Sequence, residues 1–461
     1  MAMAMEIQKR IKYYVESNVL GQGRSSIVKR NAFFSVILKA LSVATSLLLV
    51  PISIRFVGSE QYGIWLTISS MVTWLSLFDI GLSNGLRNRL VKALDQDDND
   101  LARTYVSTTY IVLSFIFVGL WLIFCFANKY IDWVNILSIS NSAGESVRQL
   151  ILIIFSYFCL TFILKIINTI LLADQKAAYS SLIDTIGQFL SLIIVCAMYF
   201  LLPGSLLYLC IGLCASPLVV AILFNINLFN KKYKKIAPSL KYFKLWCIKD
   251  LIGLSFKFFI IQIAAIIQYQ TANLIIAHYF NMSEVTNYNT AFKYFSVLNI
   301  IFAMLLMPLW SASTDAYNKN EYQWIINATK KYLKVLLLLS IAGIIMLIAS
   351  NLVYNIWIGN KYINIPFNLS LWCLIYILIT LFGSIFVNIL NGIGAIRIQL
   401  ISSVFTPFLY LILALVFIKY LDMGIYSLFI ASIIANINGF IFAPIQFMKV
   451  FIQKKKGIWI A

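Results

Sequence analysis

Apolar runs of 18 residues or more follow one another along most of the chain, from about residue 31 to residue 448. As a helix, about 20 residues rise about 30 Å, the thickness of a bilayer's hydrocarbon core. Lipid offers no hydrogen bonds, so a spanning segment must satisfy its own backbone, as a helix or within a closed barrel. Barrel strands are short and alternate in polarity, whereas these runs are long and continuous. The expected fold class is therefore an all-α polytopic membrane protein. Composition agrees, with 61% hydrophobic and 11% charged residues, where a soluble domain carries about 25% charged.

Twelve spans are expected near 31–54, 62–86, 105–127, 149–173, 179–201, 206–228, 251–280, 288–311, 333–353, 367–391, 398–418 and 425–448. With the N-terminus inside, 27 of the 36 lysines and arginines fall on cytoplasmic segments and 5 on outer loops. The positive-inside rule then makes both termini cytoplasmic. The net charge of +19 reads as contact with anionic lipids, with no need for nucleic acid. The division expected is a tail (1–30), a first lobe (31–228), a basic cytoplasmic linker (229–250), a second lobe (251–448) and a second tail (449–461).

Several function classes fall away. The loops between spans run to roughly 20 residues and the first tail to 30, too little for a soluble catalytic domain, and an enzyme is not expected. There is no Walker loop. The single histidine, His278, builds no metal site, and the seven cysteines form no CxxC pair and read as packing residues. No cofactor or metal is expected.

Four lysines fall inside spans: Lys39, Lys165, Lys257 and Lys293. Each costs roughly 2.5–3.5 kcal/mol at mid-membrane on insertion scales, so each must reach a headgroup or face a wet cavity. Lys39 and Lys165 lie about eight residues from the cytoplasmic ends of their helices, roughly 12 Å deep, and a cavity is the expected setting. Lys257 and Lys293 are shallower, and either reading stands. Among in-span polar groups, Tyr157, Gln188, Gln262, Tyr269, Tyr294 and Asn388 are candidates for hydrogen bonds to a cargo or between helices. The densest run is QYQTAN (268–273), with Gln268, Gln270 and Asn273, and for a sugar-bearing cargo of the kind the resemblance below implies it is the expected sugar-facing patch. The stretch FDIGLSNGLRNRL (78–90) adds Asp79 in an apolar setting. On a continuous helix Ser76, Asp79 and Ser83 share one face, and Gly81 and Gly85 lie roughly opposite, suited to close packing on a partner. Asp79 reads either as a gate or protonation site or as a fixed salt bridge to Lys39 or Arg87. Arg87 marks the cytoplasmic boundary, and Asp184 has the same two readings as Asp79.

The halves echo each other. Lys39 and Lys257 occupy similar depths in spans 1 and 7. Ser59-Glu60 with Tyr62 follows span 1, and Ser283-Glu284 with Tyr288 follows span 7. Two parallel six-helix lobes related by an axis along the membrane normal would give this pattern.

The segments GSEQYGIW (58–65), FDIGLSNGLRNRL (78–90) and SEVTNYNTAFKYFSVLN (283–299) resemble bacterial polysaccharide flippases of the Wzx type. These belong to the MOP superfamily beside drug-exporting MATE proteins. The resemblance implies a V-shaped, MATE-like fold with a central cavity. It implies translocation of undecaprenyl-pyrophosphate-linked oligosaccharide by alternating access coupled to an ion gradient. It also implies partnership with a polysaccharide polymerase and a chain-length regulator, and raises Lys293, since related lipid flippases place a cavity cation on span 8. Those relatives often use arginines where the in-span cations here are all lysines. Two other functions were weighed. A MATE-type multidrug antiporter would favour acidic cavity residues for cationic drugs, and in-span lysines outnumber carboxylates. A membrane polymerase would need a long outer loop with catalytic cations, and the longest, 128–148, holds only Lys129 and Arg148.

Overall fold

The structure, a computed structural model, describes residues 24–460 except 80–81, 138–143, 254–255, 360 and 456. At some positions, Asp79, Lys257, Gln262 and Tyr269 among them, it describes the backbone alone. The first half runs α1 (Arg24–Val57), α2 (Ser59–Thr73), a 3-10 stretch (Trp74–Asp79), α3 (Leu82–Asp95), α4 (Asn99–Ala127), short α5 (Trp133–Leu137), α6 (Gly144–Leu164), α7 (Ile166–Ala173), α8 (Ala177–Leu201) and α9 (Leu206–Asn230). After a linker come α10 (Trp246–Gly253), α11 (Phe256–Tyr279), α12 (Met282–Asn318), α13 (Tyr322–Trp357), α14 (Phe367–Gly392), α15 (Arg397–Lys419) and α16 (Ser427–Ala435). A π-helical stretch (Asn438–Phe442), α17 (Ala443–Phe447) and a second π stretch (Met448–Ile452) follow.

Among the described residues nine helices are long and apolar enough to cross a bilayer, and the pair Ser427–Ala435 and Asn438–Ile452, bent by 49°, makes a tenth. The other two expected spans, 62–86 and 251–280, coincide with the interrupted path of α2 and α3 and with α11, so the helix order is consistent with twelve passages. Polar caps start the helices where the sequence permits. The Asp98 side chain accepts from the Leu101 amide at 2.9 Å to open α4, and Asn281 does the same for Glu284 at 2.9 Å to open α12. Ser76 and Asp79 lie in the 3-10 stretch Trp74–Asp79 rather than in an α-helix, and residues three apart eclipse in that geometry, so the two still share a face. The path from Asp79 to Ser83 runs through residues 80–81, outside the described residues.

The helices form two bundles. In the first, α1 packs on α8, α8 on α9, α6 on both α4 and α9, and α3 on α4 and α7. In the second, α12 packs on α14, α11 on α15, and α14 on α13. The bundles touch chiefly where α2 meets α11 and α12. The repeated Ser-Glu segments meet each other there. The Ser59 and Ser283 hydroxyls lie 3.3 Å apart, and Thr286 donates to the Ser59 carbonyl at 2.6 Å. A Cβ at Gly63 would collide with the Met282 backbone. At the same end, Arg55 donates to the Ile358 carbonyl at 3.3 Å, and the Trp357 indole donates to the Leu47 carbonyl at 3.1 Å.

At the opposite end the linker lies on the first bundle. Arg103 donates to the Ala237 carbonyl at 3.0 Å and its guanidinium sits 4.4 Å over the Tyr242 ring. The Ser239 and Lys244 amides donate to Ser107 at 3.0 Å and Thr108 at 3.2 Å. The linker lysines stay exposed. This segment, expected to serve topology and lipid contact, is thus also a structural strap.

Gly85 packs against the Leu251 backbone of α10, where a Cβ would clash, as expected of the glycine side; Gly81 lies outside the described residues. Gly63→Val and Gly85→Val should each destabilise the detergent-solubilised protein by about 1–3 kcal/mol of overpacking, read as earlier thermal unfolding. Gly119→Ala, where a Cβ meets open space, should leave unfolding unchanged.

Candidate functional site

The first bundle encloses a cavity of about 360 Å³ among α1, α6, α7, α8 and α9. Lys39 and Ser42 reach it from α1, Tyr157 and Thr161 from α6, Lys165 from the junction of α6 and α7, and Asp184 and Gln188 from α8. Residues 39, 165 and 184, far apart in sequence, are thus gathered at one place. Lys39, Lys165 and Asp184 are all exposed side chains. Among the described residues no ion pair joins them to one another or to any other group. Asp184 accepts a hydrogen bond from the Asn168 carboxamide at 3.4 Å.

Local structure explains how Lys165 reaches the cavity. The helix breaks there, with α6 ending at Leu164 and α7 beginning at Ile166. The Leu164 carbonyl, beside the break, accepts from the buried Asn225 carboxamide of α9 at 3.0 Å. Asn225 is itself fixed by the Tyr110 hydroxyl, which donates to it at 3.0 Å. A broken helix at membrane depth requires substitute partners of this kind. On the other wall, Ser42 donates to Gln188 and Thr185 donates to the Leu38 carbonyl at 3.2 Å, locking α1 to α8. Two buried polar atoms of the lining, the Thr161 hydroxyl and Asn168 Oδ1, have no hydrogen-bond partner among the described residues.

The other expected site residues lie elsewhere. Gln268, Gln270 and Asn273 line a second cavity of about 530 Å³ inside the second bundle, with Tyr288, Asn289, Phe292, Asn299 and Thr380. Asn289 donates to Asn273 at 2.7 Å, and Gln268 donates to the Ser432 carbonyl at 3.5 Å. Lys293 is half-buried on α12, one turn beyond Asn289, with no ion pair among the described residues. The side chains of Asp79, Lys257, Gln262 and Tyr269 lie outside the described residues. Tyr294 and Asn388 turn out to bond backbone carbonyls, those of Met346 at 3.0 Å and Ser384 at 2.8 Å. Each of the two thus has a structural partner.

Arg87 is exposed and unpaired among the described residues. Its neighbour Arg89 takes the ion pair instead, with Asp250, and Tyr105 donates to the same carboxylate at 2.8 Å. This contact ties α3 and α4 to the start of α10. The signal available in sequence was Asp250 itself, the one acid at the end of a basic linker. A second missed cluster joins the α7–α8 turn to the linker. Asp174 pairs with Lys176 at 3.1 Å and with Lys232, and accepts from Tyr233 at 2.7 Å. Burial first, and the hydrogen bond to Asp174 second, hold the Tyr233 phenol above its ordinary range, so it stays a donor.

This two-bundle helical fold with a cavity in each bundle defines a multi-pass membrane protein. It superposes on the inward-facing conformation of a multidrug resistance MATE family transporter of the MOP superfamily with TM-score 0.77 at 14% identity, over 92% of this chain and 100% of that one. Against the outward-facing conformation of a MATE family transporter the TM-score is 0.63 at 16% identity, over 94% and 97%. At these identities the likeness is one of fold. By sequence, residues 28–313 match the model of the polysaccharide biosynthesis protein family, and the chain belongs to that family. It is similar to a protein of Yersinia pseudotuberculosis that bears the name of an O-antigen export protein, with 22% identity over 372 residues, 77% of this chain and 81% of the relative. The resemblance to Wzx-type flippases of the MOP superfamily therefore holds in family and in fold, and the relatives named are transport proteins rather than enzymes.

If the first cavity is hydrated, Lys39→Cys and Lys165→Cys, each in a background without the seven free cysteines, should react quickly with a charged, membrane-impermeant thiol reagent. Leu337→Cys, on the exposed face of α13, should stay unreactive.

Proposed function

We propose that this protein carries undecaprenyl-pyrophosphate-linked oligosaccharide units from the inner to the outer leaflet of a bacterial inner membrane, by alternating access. The observation that carries the reading is the pair of unpartnered ammonium groups, Lys39 and Lys165, lining one cavity. A diphosphate headgroup supplies the negative charge they lack, and the polyprenyl tail can stay in lipid while the head crosses. A cationic drug would meet repulsion at the same place, which disfavours the multidrug alternative.

Lysine and arginine placement orients the molecule with the linker end in the cytoplasm. The contacts of Ser59 with Ser283 and of Arg55 with Ile358 then close the outer side. The better superposition on an inward-facing transporter than on an outward-facing one supports the same state. In this reading Lys39 and Lys165 bind the headgroup and Asp184, bonded to Asn168, is the group that couples transport to an ion. Asp79 and Arg87 belong to the cytoplasmic gate, Lys257 and Lys293 are further substrate-binding cations, and both termini are cytoplasmic. Anionic lipids, a polymerase and a chain-length regulator are its expected neighbours.

In a deletion strain, Lys39→Ala and Lys165→Ala should each cut surface polysaccharide about tenfold or more while the protein still inserts at normal levels, since a charge-assisted contact is worth about 1.5–3 kcal/mol. Lys→Arg at either site should retain partial export. Normal export by both alanine variants would sink the headgroup role. Asp184→Asn should leave cargo binding intact and make export insensitive to the ion gradient; export still collapsing with the gradient would remove Asp184 from coupling.

A further inference from the structure

The two bundles hold cavities at corresponding places, and their chemistry is opposite. The first is walled by the first, fourth, fifth and sixth passages, α1, α6–α7, α8 and α9. In the second bundle, adjoining cavities of about 530 and 210 Å³ share Gln268 and Thr380 and are walled by α11, α14, α15 and the α16 end, the matching passages of the second half, with α12 added. Where the first cavity carries two lysines and an aspartate, these two are lined, among the described residues, by no lysine, arginine, histidine, aspartate or glutamate.

They are nonetheless polar, and much of that polarity is unspent. Gln270, Asn299, Gln399, Asn436 and Asn438 line them, and none of these carboxamides makes a hydrogen bond to protein among the described residues. Each carboxamide offers two donors and two acceptor positions. Gln268, Asn273 and Asn289, by contrast, are engaged with protein partners. The backbone also departs from regularity here. The α16 helix stops at Asn436 and resumes as the π stretch Asn438–Phe442, with the path bent by 49°. Such wide turns recur at functional sites, and this one brings Asn436, Asn438 and Phe440 to the cavity wall.

The chemistry selects one ligand class. Among the described lining residues an anion would find no cation, and a cation no carboxylate. An apolar molecule would leave the carboxamides unpaired. A neutral sugar both donates and accepts through its hydroxyls, and its C–H faces suit the aromatic walls given by Phe292, Tyr376 and Phe440. We propose that the second-bundle cavity is the subsite for the neutral saccharide residues of the cargo, separate from the cationic cavity that takes the charged head. This rests on the headgroup reading above and adds a division of labour between the bundles.

The test is equilibrium binding to the full chain in nanodiscs with two probes: lipid-linked glycan extracted from the native host, and undecaprenyl diphosphate without sugar. Wild type should bind the glycosylated probe about tenfold or more tighter, the equivalent of one or two hydrogen bonds. The double variants Gln270→Leu/Asn299→Leu and Gln399→Leu/Asn436→Leu should lose that margin and keep the affinity for the bare probe, which also shows them to be folded. Lys39→Ala should weaken both probes. A margin that persists in both double variants, or that is absent in wild type, overturns the saccharide subsite and leaves the headgroup reading standing. If wild type binds neither probe, the headgroup reading fails and the subsite falls with it.

Discussion

An ammonium group at membrane depth must have water or an anion, because lipid supplies neither. That constraint organises the first bundle. Lys39 and Lys165 have no ionic partner among the described residues, yet they share a cavity with Asp184, Gln188 and two unsatisfied polar atoms. The surrounding structure is arranged to keep the space open and polar. The helix breaks at Lys165, and Asn225 with Tyr110 holds the carbonyl beside the break.

The same logic runs through the contacts between the bundles. They close at one end through small or short side chains, Gly63, Ser59, Ser283 and Thr286. Bonds of this kind are individually worth about 1 kcal/mol or less in membranes, which suits the opening that the proposed alternating access requires. At the other end α10 is held to the first bundle by the Arg89–Asp250 ion pair and by the close packing of Gly85 on Leu251, and α11 meets the Trp74–Asp79 stretch. In the proposed cycle the weak contacts are the ones that open as one bundle rocks against its partner.

Much of this was legible in the sequence, and the reasons are local ones. Span length, charge placement and the two Ser-Glu segments depend on neighbours in the chain, and they led to the helix order and the paired halves. The depth argument put Lys39 and Lys165 in a cavity setting from rise per residue alone. The contact between Ser59 and Ser283 was not legible, because it joins residues 224 apart. Nor was the pairing of Arg89 with Asp250, 161 apart, which passes over the more conspicuous Arg87. The local geometry at Asp79 was not legible for a different reason: the apolar pattern reads as one continuous helix, and a 3-10 stretch stands there. That the in-span lysines Lys39 and Lys165 and the run 268–273 line cavities in different bundles required the tertiary structure, since which helices enclose a common space depends on contacts between distant segments.

The central claim is that two lysines from distant helices receive one diphosphate. An electron cryomicroscopy structure of the wild-type protein with undecaprenyl diphosphate bound tests it most directly. The account predicts phosphate oxygens within hydrogen-bonding distance of both Lys39 Nζ and Lys165 Nζ. Diphosphate density seated elsewhere, with both ammonium groups left in water, would contradict it.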